Sequence, residues 1–353
     1  MRIKEFHEKF ISVCEAVVIS DPKNIYYFTG FFPHSLSYLL IKNDLSLKLL
    51  VPELEYKDAK EHSKDTEIIN LKDELPIDFL IKSIQEFNEL KVLGFENEYM
   101  TVSTYLNLTQ KLESIQFKGI TEILNSIREV KTPKEIEYLE KAAQIADIGI
   151  KTAIENIEEG KIEKEIAGEV EYNMRKAGSE KIPFDTIIAS GPNSALPHAT
   201  ASERKVQKGD LIIIDLGATY RGYCSDMTRT ICFDKPSQKH LKIYNLVLTA
   251  HQEAIKVARA EIEAKEVDAI ARNIIEQAGY EFIHSLGHGV GLDVHENPNI
   301  SFKSKNKLIE HSIITIEPGI YIPGFGGVRI EDMYQVLNDK LKNLTKSKQD
   351  LCI

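Results

Sequence analysis

Four carboxylates and one histidine could do chemistry in this chain: Asp215 and Asp226, eleven residues apart, then His288, then Glu317 and Glu331, fourteen apart. Each carboxylate pair brackets a hairpin signal. Leu211-Ile-Ile-Ile-Asp215 is a short apolar run of the kind that makes a buried strand. Leu216 to Tyr223 then holds two glycines, and a second run follows from Cys224 to Phe233. Folding back near Tyr220 and Arg221 sets Asp215 opposite Asp226, on one face of the ribbon. Ile313 to Glu317 runs in, Pro323 to Gly327 turns, and Val328 to Val336 runs back, so folding about Gly324 sets Glu317 opposite Glu331. Four carboxylates converging on one point raise each other's pKa unless cations lie between them. A single acid near a hairpin is more often a solvated turn residue. Here, however, Asp215 and Glu317 each end an apolar run that should be buried, and buried carboxylates need partners or metals. The economical reading is a two-metal hydrolytic centre.

The histidine belongs to His284-Ser-Leu-Gly-His-Gly-Val-Gly-Leu-Asp-Val-His-Glu296, where three glycines let the backbone pass close to a ligand. His288 is the best ligand candidate. His284 and His295 flank it at distances suited to lining one pocket, and His198 stands in a turn-rich loop, Ser190 to Ala199, seventeen residues before Asp215. His7, His62, His240, His251 and His311 sit in polar or helical contexts and read as surface or core residues. His34, in an aromatic loop, stays open.

These residues need elements to hold them. Thr132-Pro-Lys-Glu135 reads as a capping box with proline at the first helical position. Ile136, Leu139, Ala143, Ala146 and Ile150 then mark one helical face. A second helix is expected over 163–176, ending near Gly178 and leading to the Asp hairpin. After Pro236 the order recurs, with helices over 241–260 and 267–278, a stop at Gly279, and the Glu hairpin. Two copies of helix–helix–hairpin, each donating two acids, predict a pseudo-two-fold arrangement with the metals between the halves. At 353 residues the chain suggests two domains. The boundary is expected just before the capping box, giving 1–125 and 126–353. In the first part, 16–19, 38–41, 49–51 and 92–95 read as strands among amphipathic segments, a mixed α/β domain.

The chain resembles the pita-bread metallopeptidases of the Xaa-Pro aminopeptidase and prolidase group. The matching stretches are Gly191-Pro-Asn-Ser-Ala-Leu-Pro-His198, Asp215-Leu-Gly, Ser225-Asp-Met-Thr-Arg-Thr230, Gly287-His-Gly-Val-Gly291, Val294-His-Glu296, Glu317-Pro-Gly319 and Gly327-Val-Arg-Ile-Glu-Asp332. Ile19 to Gly30 is similar to the opening of the family's smaller domain, so the resemblance spans nearly the whole chain. It implies an α/β (α+β) fold, with an N-terminal creatinase-like domain and a C-terminal pita-bread catalytic domain. It also implies five metal ligands: Asp226 and Glu331 bridging two ions, Asp215 on one of them, and His288 and Glu317 on the other. Thr228 resembles a position close to the ligands. His284, Tyr321 and Arg329 resemble substrate-pocket positions, although Arg329 could equally neutralise the acids.

Such a hard, oxygen-rich donor set suits manganese, with cobalt, iron or zinc also able to bind. Two cations lower the pKa of a shared water and supply hydroxide near neutral pH. Glu317 would act as general base, passing the proton to the leaving proline nitrogen, and His295 or His198 would face the developing oxyanion. The expected activity is hydrolysis of the Xaa-Pro bond at peptide N-termini by an aminopeptidase, with an Xaa-Pro dipeptidase (prolidase) as the close alternative. A non-catalytic peptide-binding module on the same fold is the alternative of another class. It would have little reason to keep all four acids.

Composition sets the context. A formal net charge of −10 and the lack of a long basic run argue against nucleic-acid binding. No apolar run is long enough to span a bilayer, and Met1 to Val17 lacks the pattern of a signal peptide. Cys14, Cys224, Cys232 and Cys352 show no zinc spacing, and Cys224 and Cys232 read as small core residues in a reducing compartment. A cytoplasmic enzyme is therefore expected, and the resemblance implies a homodimer.

Overall fold

The helix that opens the second half of the chain begins as its letters dictate. Thr132 Oγ1 accepts from the Glu135 amide, the Glu135 carboxylate accepts from the Thr132 amide, and Pro133 fills the first helical position. A computed structural model describes residues 2–72, 74–87 and 89–352, which form two compact units, Met1–Ile127 and Arg128–Ile353.

The first unit carries α1 (Arg2–Phe10), β1 (Ala16–Ile19), α2 (Pro22–Thr29), β2 (Tyr38–Lys42), β3 (Leu47–Val51), α3 (Glu53–His62), β4 (Glu67–Asn70), α4 (Pro76–Gln85), β5 (Val92–Phe95), α5 (Val102–Lys111) and β6 (Gln116–Gly119), followed by α6 (Thr121–Glu129). Its six strands form one mixed sheet in the order β4-β3-β2-β1-β5-β6. Because side chains alternate across a strand, the central runs supply two cores. Val17, Ile19, Leu39, Ile41, Leu49 and Val51 pack with Phe6 and Phe10 of α1 on one face. Ala16, Val18, Tyr38, Leu40 and Leu50 pack with Leu80 and Ile84 of α4 on the other. Burial on both faces explains why these strands read as unbroken apolar runs rather than alternating ones.

The second unit repeats itself. Its first half holds α7 (Pro133–Asn156), α8 (Glu163–Lys176), β7 (Ile187–Ser190), β8 (Leu211–Leu216), β9 (Thr219–Tyr220), β10 (Tyr223–Cys224) and β11 (Met227–Cys232). The other half holds α9 (Gln238–Val257), α10 (Ala264–Gln277), β12 (Gly287–Gly289), β13 (Glu296–Ile300), β14 (Ile313–Ile316), β15 (Gly319–Ile322), β16 (Gly326–Arg329), β17 (Asp332–Val336) and β18 (Leu341–Asn343). Antiparallel sheets β11-β8-β7 and β13-β12-β14-β17-β18 each back onto their own helix pair through a separate core. A bridge from Ile162 to Lys205 precedes α8, and one from Glu263 to Lys307 precedes α10, so the repeat extends to the entry of each second helix. This is the mixed α/β, pseudo-two-fold pita-bread arrangement.

The Asp hairpin departs from its predicted register. Asp215 faces Thr228, and Met227 faces Leu216. The reason is a two-residue turn with both central residues at positive φ, Arg221 (50°) and Gly222 (78°), which pairs Tyr220 with Tyr223 and moves the fold point one residue along. Asp226 therefore lies two residues from Asp215's partner. A shift of two keeps side chains on the same face, so the two acids still converge. Gly217 has no room for a side chain here, since a Cβ would lie 2.2 Å from the Ser225 carbonyl oxygen. In the Glu hairpin, Ile316 faces Asp332 and Gly319 faces Arg329, a single register that sets Glu317 opposite Glu331 about Gly324.

Candidate metal centre

The two hairpins are stitched together at the acids. The Glu331 amide donates to the Thr228 carbonyl oxygen (3.1 Å), and Thr228 Oγ1 donates to Glu331 Oε2 (2.7 Å). Thr230 Oγ1 donates to the Arg329 carbonyl oxygen (2.8 Å) and accepts from the Arg329 amide (3.0 Å). Thr228, the residue that displaced Asp226 from its predicted partner, thus ties a carboxylate of the second hairpin to the first.

Ligand atoms of Asp226, His288 and His295, of His288, Glu317 and Glu331, and of Asp215, Asp226 and Glu331 lie within 4.8 Å of one another inside each group. These overlapping groups contain all five predicted metal residues together with His295. His288 Nδ1 donates to the Gly289 carbonyl oxygen (3.0 Å), which leaves the Nε2 lone pair facing Asp226 Oδ2 at 3.6 Å and Glu317 Oε1 at 3.4 Å. Burial lowers the His288 pKa to about 4, so the ring is neutral at pH 7. An imidazole lone pair and two carboxylate oxygens facing one another is the arrangement a cation would satisfy. A second sign is Asp215 Oδ1, buried and without a hydrogen-bond partner while Oδ2 accepts from Arg329 (2.6 Å). The residues fit divalent cations.

Without cations the acids hold protons instead. Burial raises Asp226 well above the ordinary carboxylate range, and the charges of Glu331, Asp215 and Glu317 raise it further. Burial likewise raises Glu331, with Glu317 and Asp215 adding to it, and raises Glu317 to about 8 against the opposing charge of Arg329.

Arg329 is the buried counter-charge. Its guanidinium donates to Thr228 Oγ1 (3.0 Å), the Tyr321 hydroxyl (2.8 Å), the Pro197 carbonyl oxygen (3.2 Å) and Asp215. The Tyr321 hydroxyl lies 3.0 Å from His284 Nε2, and His284 Nδ1 donates to the Ser285 carbonyl oxygen (2.8 Å). His284 is held neutral by burial, its pKa lowered to about 4, so Nε2 accepts the tyrosine proton. A directed chain runs from Arg329 through Tyr321 to His284. The three residues expected to line a substrate pocket are thus joined in one chain of contacts, with Arg329 tied to both Tyr321 and Asp215.

His295 and His198 are both exposed. The His295 ring stands edge-on to His288 at 4.2 Å between centroids. Among the described residues no cluster of metal-binding groups includes His198, which lies close enough to His284 and His295 to influence both.

Other contributors escaped the sequence reading. Thr315 Oγ1 accepts from the His288 amide (3.1 Å) and donates to Glu317 Oε1 (3.4 Å), so one threonine aims two candidate ligands. Arg229 donates to the Thr228 and Glu331 carbonyl oxygens (2.9 and 2.6 Å) and to Asp332. Glu296, beside His295, is held by Arg128 and Lys131, each at 2.7 Å. Arg229 and Glu296 stand inside two of the matching stretches without an assigned role, and for Thr315, Arg128 and Lys131 only the packing marks them.

Residues 137–338 match the model of metallopeptidase family M24, and residues 4–130 match the creatinase/prolidase N-terminal domain. The chain belongs to metallopeptidase family M24. Within that family it is 45% identical to an Xaa-Pro dipeptidase of Pyrococcus furiosus, over 99% of this chain and 100% of that protein. It superposes on the solved prolidase from Pyrococcus horikoshii OT3 with a TM-score of 0.93 at 44% identity, covering 99% of each chain. The solved X-Pro aminopeptidase from Thermotoga maritima gives a TM-score of 0.91 at 36% identity, covering 98% of this chain and 99% of that one.

Proposed function

We propose that this M24 peptidase is an Xaa-Pro dipeptidase whose centre holds two divalent cations on Asp215, Asp226, His288, Glu317 and Glu331. The observation that carries this reading is the His288 Nε2 lone pair directed at two carboxylate oxygens, with the two acids of each hairpin on the same side. Cations bound there supply Lewis acidity for the scissile carbonyl and lower the pKa of a water. Glu317, opposite Glu331 and braced by Thr315, accepts the proton of that water and delivers it to the proline nitrogen. His295 and His198, neighbours on the exposed side of the centre, face the oxyanion that develops on the carbonyl. His284 and Tyr321 line the pocket, and Arg329 fixes both the tyrosine and Asp215.

An Xaa-Pro bond has no amide N–H, so a site that binds through metals and imidazoles loses nothing that proline lacks. Between the two specificities, the names of the relatives at 44–45% identity favour the dipeptidase over the aminopeptidase. Manganese is the metal that best suits a donor set of four carboxylates and one imidazole. Four free cysteines, three of them buried, suit a reducing cytoplasm. The assembly implied by the resemblance is a homodimer.

The test is hydrolysis of Ala-Pro, Ala-Pro-Ala and Ala-Ala-Ala by metal-stripped protein reloaded with manganese. Cleavage of Ala-Pro alone supports the dipeptidase. Release of alanine from Ala-Pro-Ala turns the assignment to an aminopeptidase, and inertness toward both proline peptides defeats it.

A further inference from the structure

Outside the metal centre, one buried carboxylate gathers an unusual set of donors. Glu163, the first residue of α8, is fully buried. Its Oε1 accepts from the Ser190 amide (2.7 Å), Ser190 Oγ (2.6 Å) and Asn193 Nδ2 (3.2 Å). Its Oε2 accepts from the Ser202 amide (3.0 Å), Ser202 Oγ (2.6 Å) and the same Asn193 nitrogen (3.2 Å). Ser190 closes β7 and Ser202 begins the segment returning to β8, so one side chain draws together both ends and the middle of the loop between them. The nearest cation in this network stands one step away. Arg204 donates to Ser190 Oγ (2.5 Å) and pairs with Asp210 (2.6 Å).

What the loop carries is functional. It passes Ser194, whose Oγ accepts from the Gly327 amide of the Glu hairpin (2.9 Å), then Pro197, whose carbonyl oxygen accepts from Arg329, then His198. Glu163 belongs to the first half, and the groups its loop meets belong to the second.

The repeat shows that the fold alone does not demand a carboxylate here. Ile162 and Glu263 make matching bridges just before α8 and α10, so the position equivalent to Glu163 is Ala264. The second half folds with a buried methyl group at that point. There the acid sits one turn later, where Asp268 accepts from the Leu286 amide (3.2 Å) and pairs with Arg272.

We propose that Glu163 is a positioning residue for the reaction, acting through His198. It sets the path of residues 190–202 so that the imidazole stands at the opening of the centre. This rests on the role assigned to His198 above. A misplacement of about 1 Å costs about 100-fold in rate, so Glu163→Gln, which turns an amide NH₂ toward N–H donors, lowers kcat on Ala-Pro by roughly 10- to 100-fold. Manganese stoichiometry stays at the wild-type value. In a His198→Ala background the same change costs less than about twofold, because positioning has no object once the imidazole is gone. Ser202→Ala, which removes one hydroxyl, gives a smaller loss with the same dependence on His198 and serves if Glu163→Gln does not fold.

Equal losses in both backgrounds, or a drop in melting temperature with unchanged kcat, overturn the proposal. If the wild-type chain cleaves no Xaa-Pro peptide, the functional reading fails, and the positioning claim is decided by the NMR resonance of the His198 ring Cε1–H. That resonance moves in Glu163→Gln if the claim holds and stays in place if it does not.

Discussion

The two acid-bearing hairpins do the same work with different registers. In the Glu hairpin one register runs from Ile313 opposite Gln335 to Ile322 opposite Gly326, interrupted only around the acids, which face each other. In the Asp hairpin one register likewise runs from Leu211 opposite Cys232 to Tyr220 opposite Tyr223, interrupted around Gly217 and Asp226, but Asp215 faces Thr228 and the acids are diagonal neighbours. Both geometries deliver two carboxylates to one face, because a displacement of two residues leaves the side-chain direction unchanged. Convergence here depends on the parity of the spacing more than on direct pairing.

If the halves contribute equally, removing a ligand from either should be equally severe. Asp226→Ala in the first half and His288→Ala or Glu331→Ala in the second should each cut kcat/KM by about 10³-fold or more and lower the bound metal count, read by elemental analysis beside kinetics. A mild effect confined to one half would break the equivalence.

Arg329 tests whether the halves are coupled, since it sits on the Glu hairpin and pairs with Asp215 of the Asp hairpin. Arg329→Met strips a buried pair of one partner and should cost about 3–5 kcal/mol in urea unfolding of the metal-free protein. Added manganese should restore part of the loss through Asp215. A cost within error of zero would mean that the halves are independent.

His251 sharpens the contrast from the second half, where it faces the Asp332 carboxylate that Arg229 of the first half also holds. It is buried against Tyr334 and Asp332, and burial lowers its pKa from 6.5 to about 4. The unfolded chain then binds a proton that the native state refuses. Stability is therefore fully present above pH 6.5 and is lost as pH falls toward 4. The loss should be on the order of 2–3 kcal/mol for the native protein, and His251→Gln should flatten that part of the pH profile in thermal melts. The smallest effect concerns the turns. Gly222→Ala and Gly324→Ala, at φ 78° and 73°, should each destabilise by about 1 kcal/mol. Unequal costs would show that one turn controls its hairpin more tightly than the other.

Much of this was legible in the letters because the signals were local. The strand at 16–19, the Thr132–Glu135 capping box, the 163–176 helix and the turn about Gly324 all follow from neighbouring residues. The starts of α9 and α10 lie three residues before the expected 241 and 267 because the first turns, 238–240 and 264–266, are largely polar and carry no apolar periodicity. The turn at Arg221 was misplaced by one position because arginine at positive φ has no letter-level mark. The five candidate ligands and their flanking histidines stood out by type and motif. Glu163, Thr315, Arg128 and Lys131 did not, and Arg229 and Glu296 stand in motif stretches without a role, because each acts through partners from about 30 to more than 150 residues away along the chain.

The central claim is that the four acids and His288 hold a pair of cations. Anomalous diffraction at the manganese edge from manganese-soaked crystals tests it most directly. Two peaks per chain, lying among Asp215, Asp226, His288, Glu317 and Glu331, are the predicted result. Density at saturating manganese with no peak within bonding distance of these five residues would contradict it.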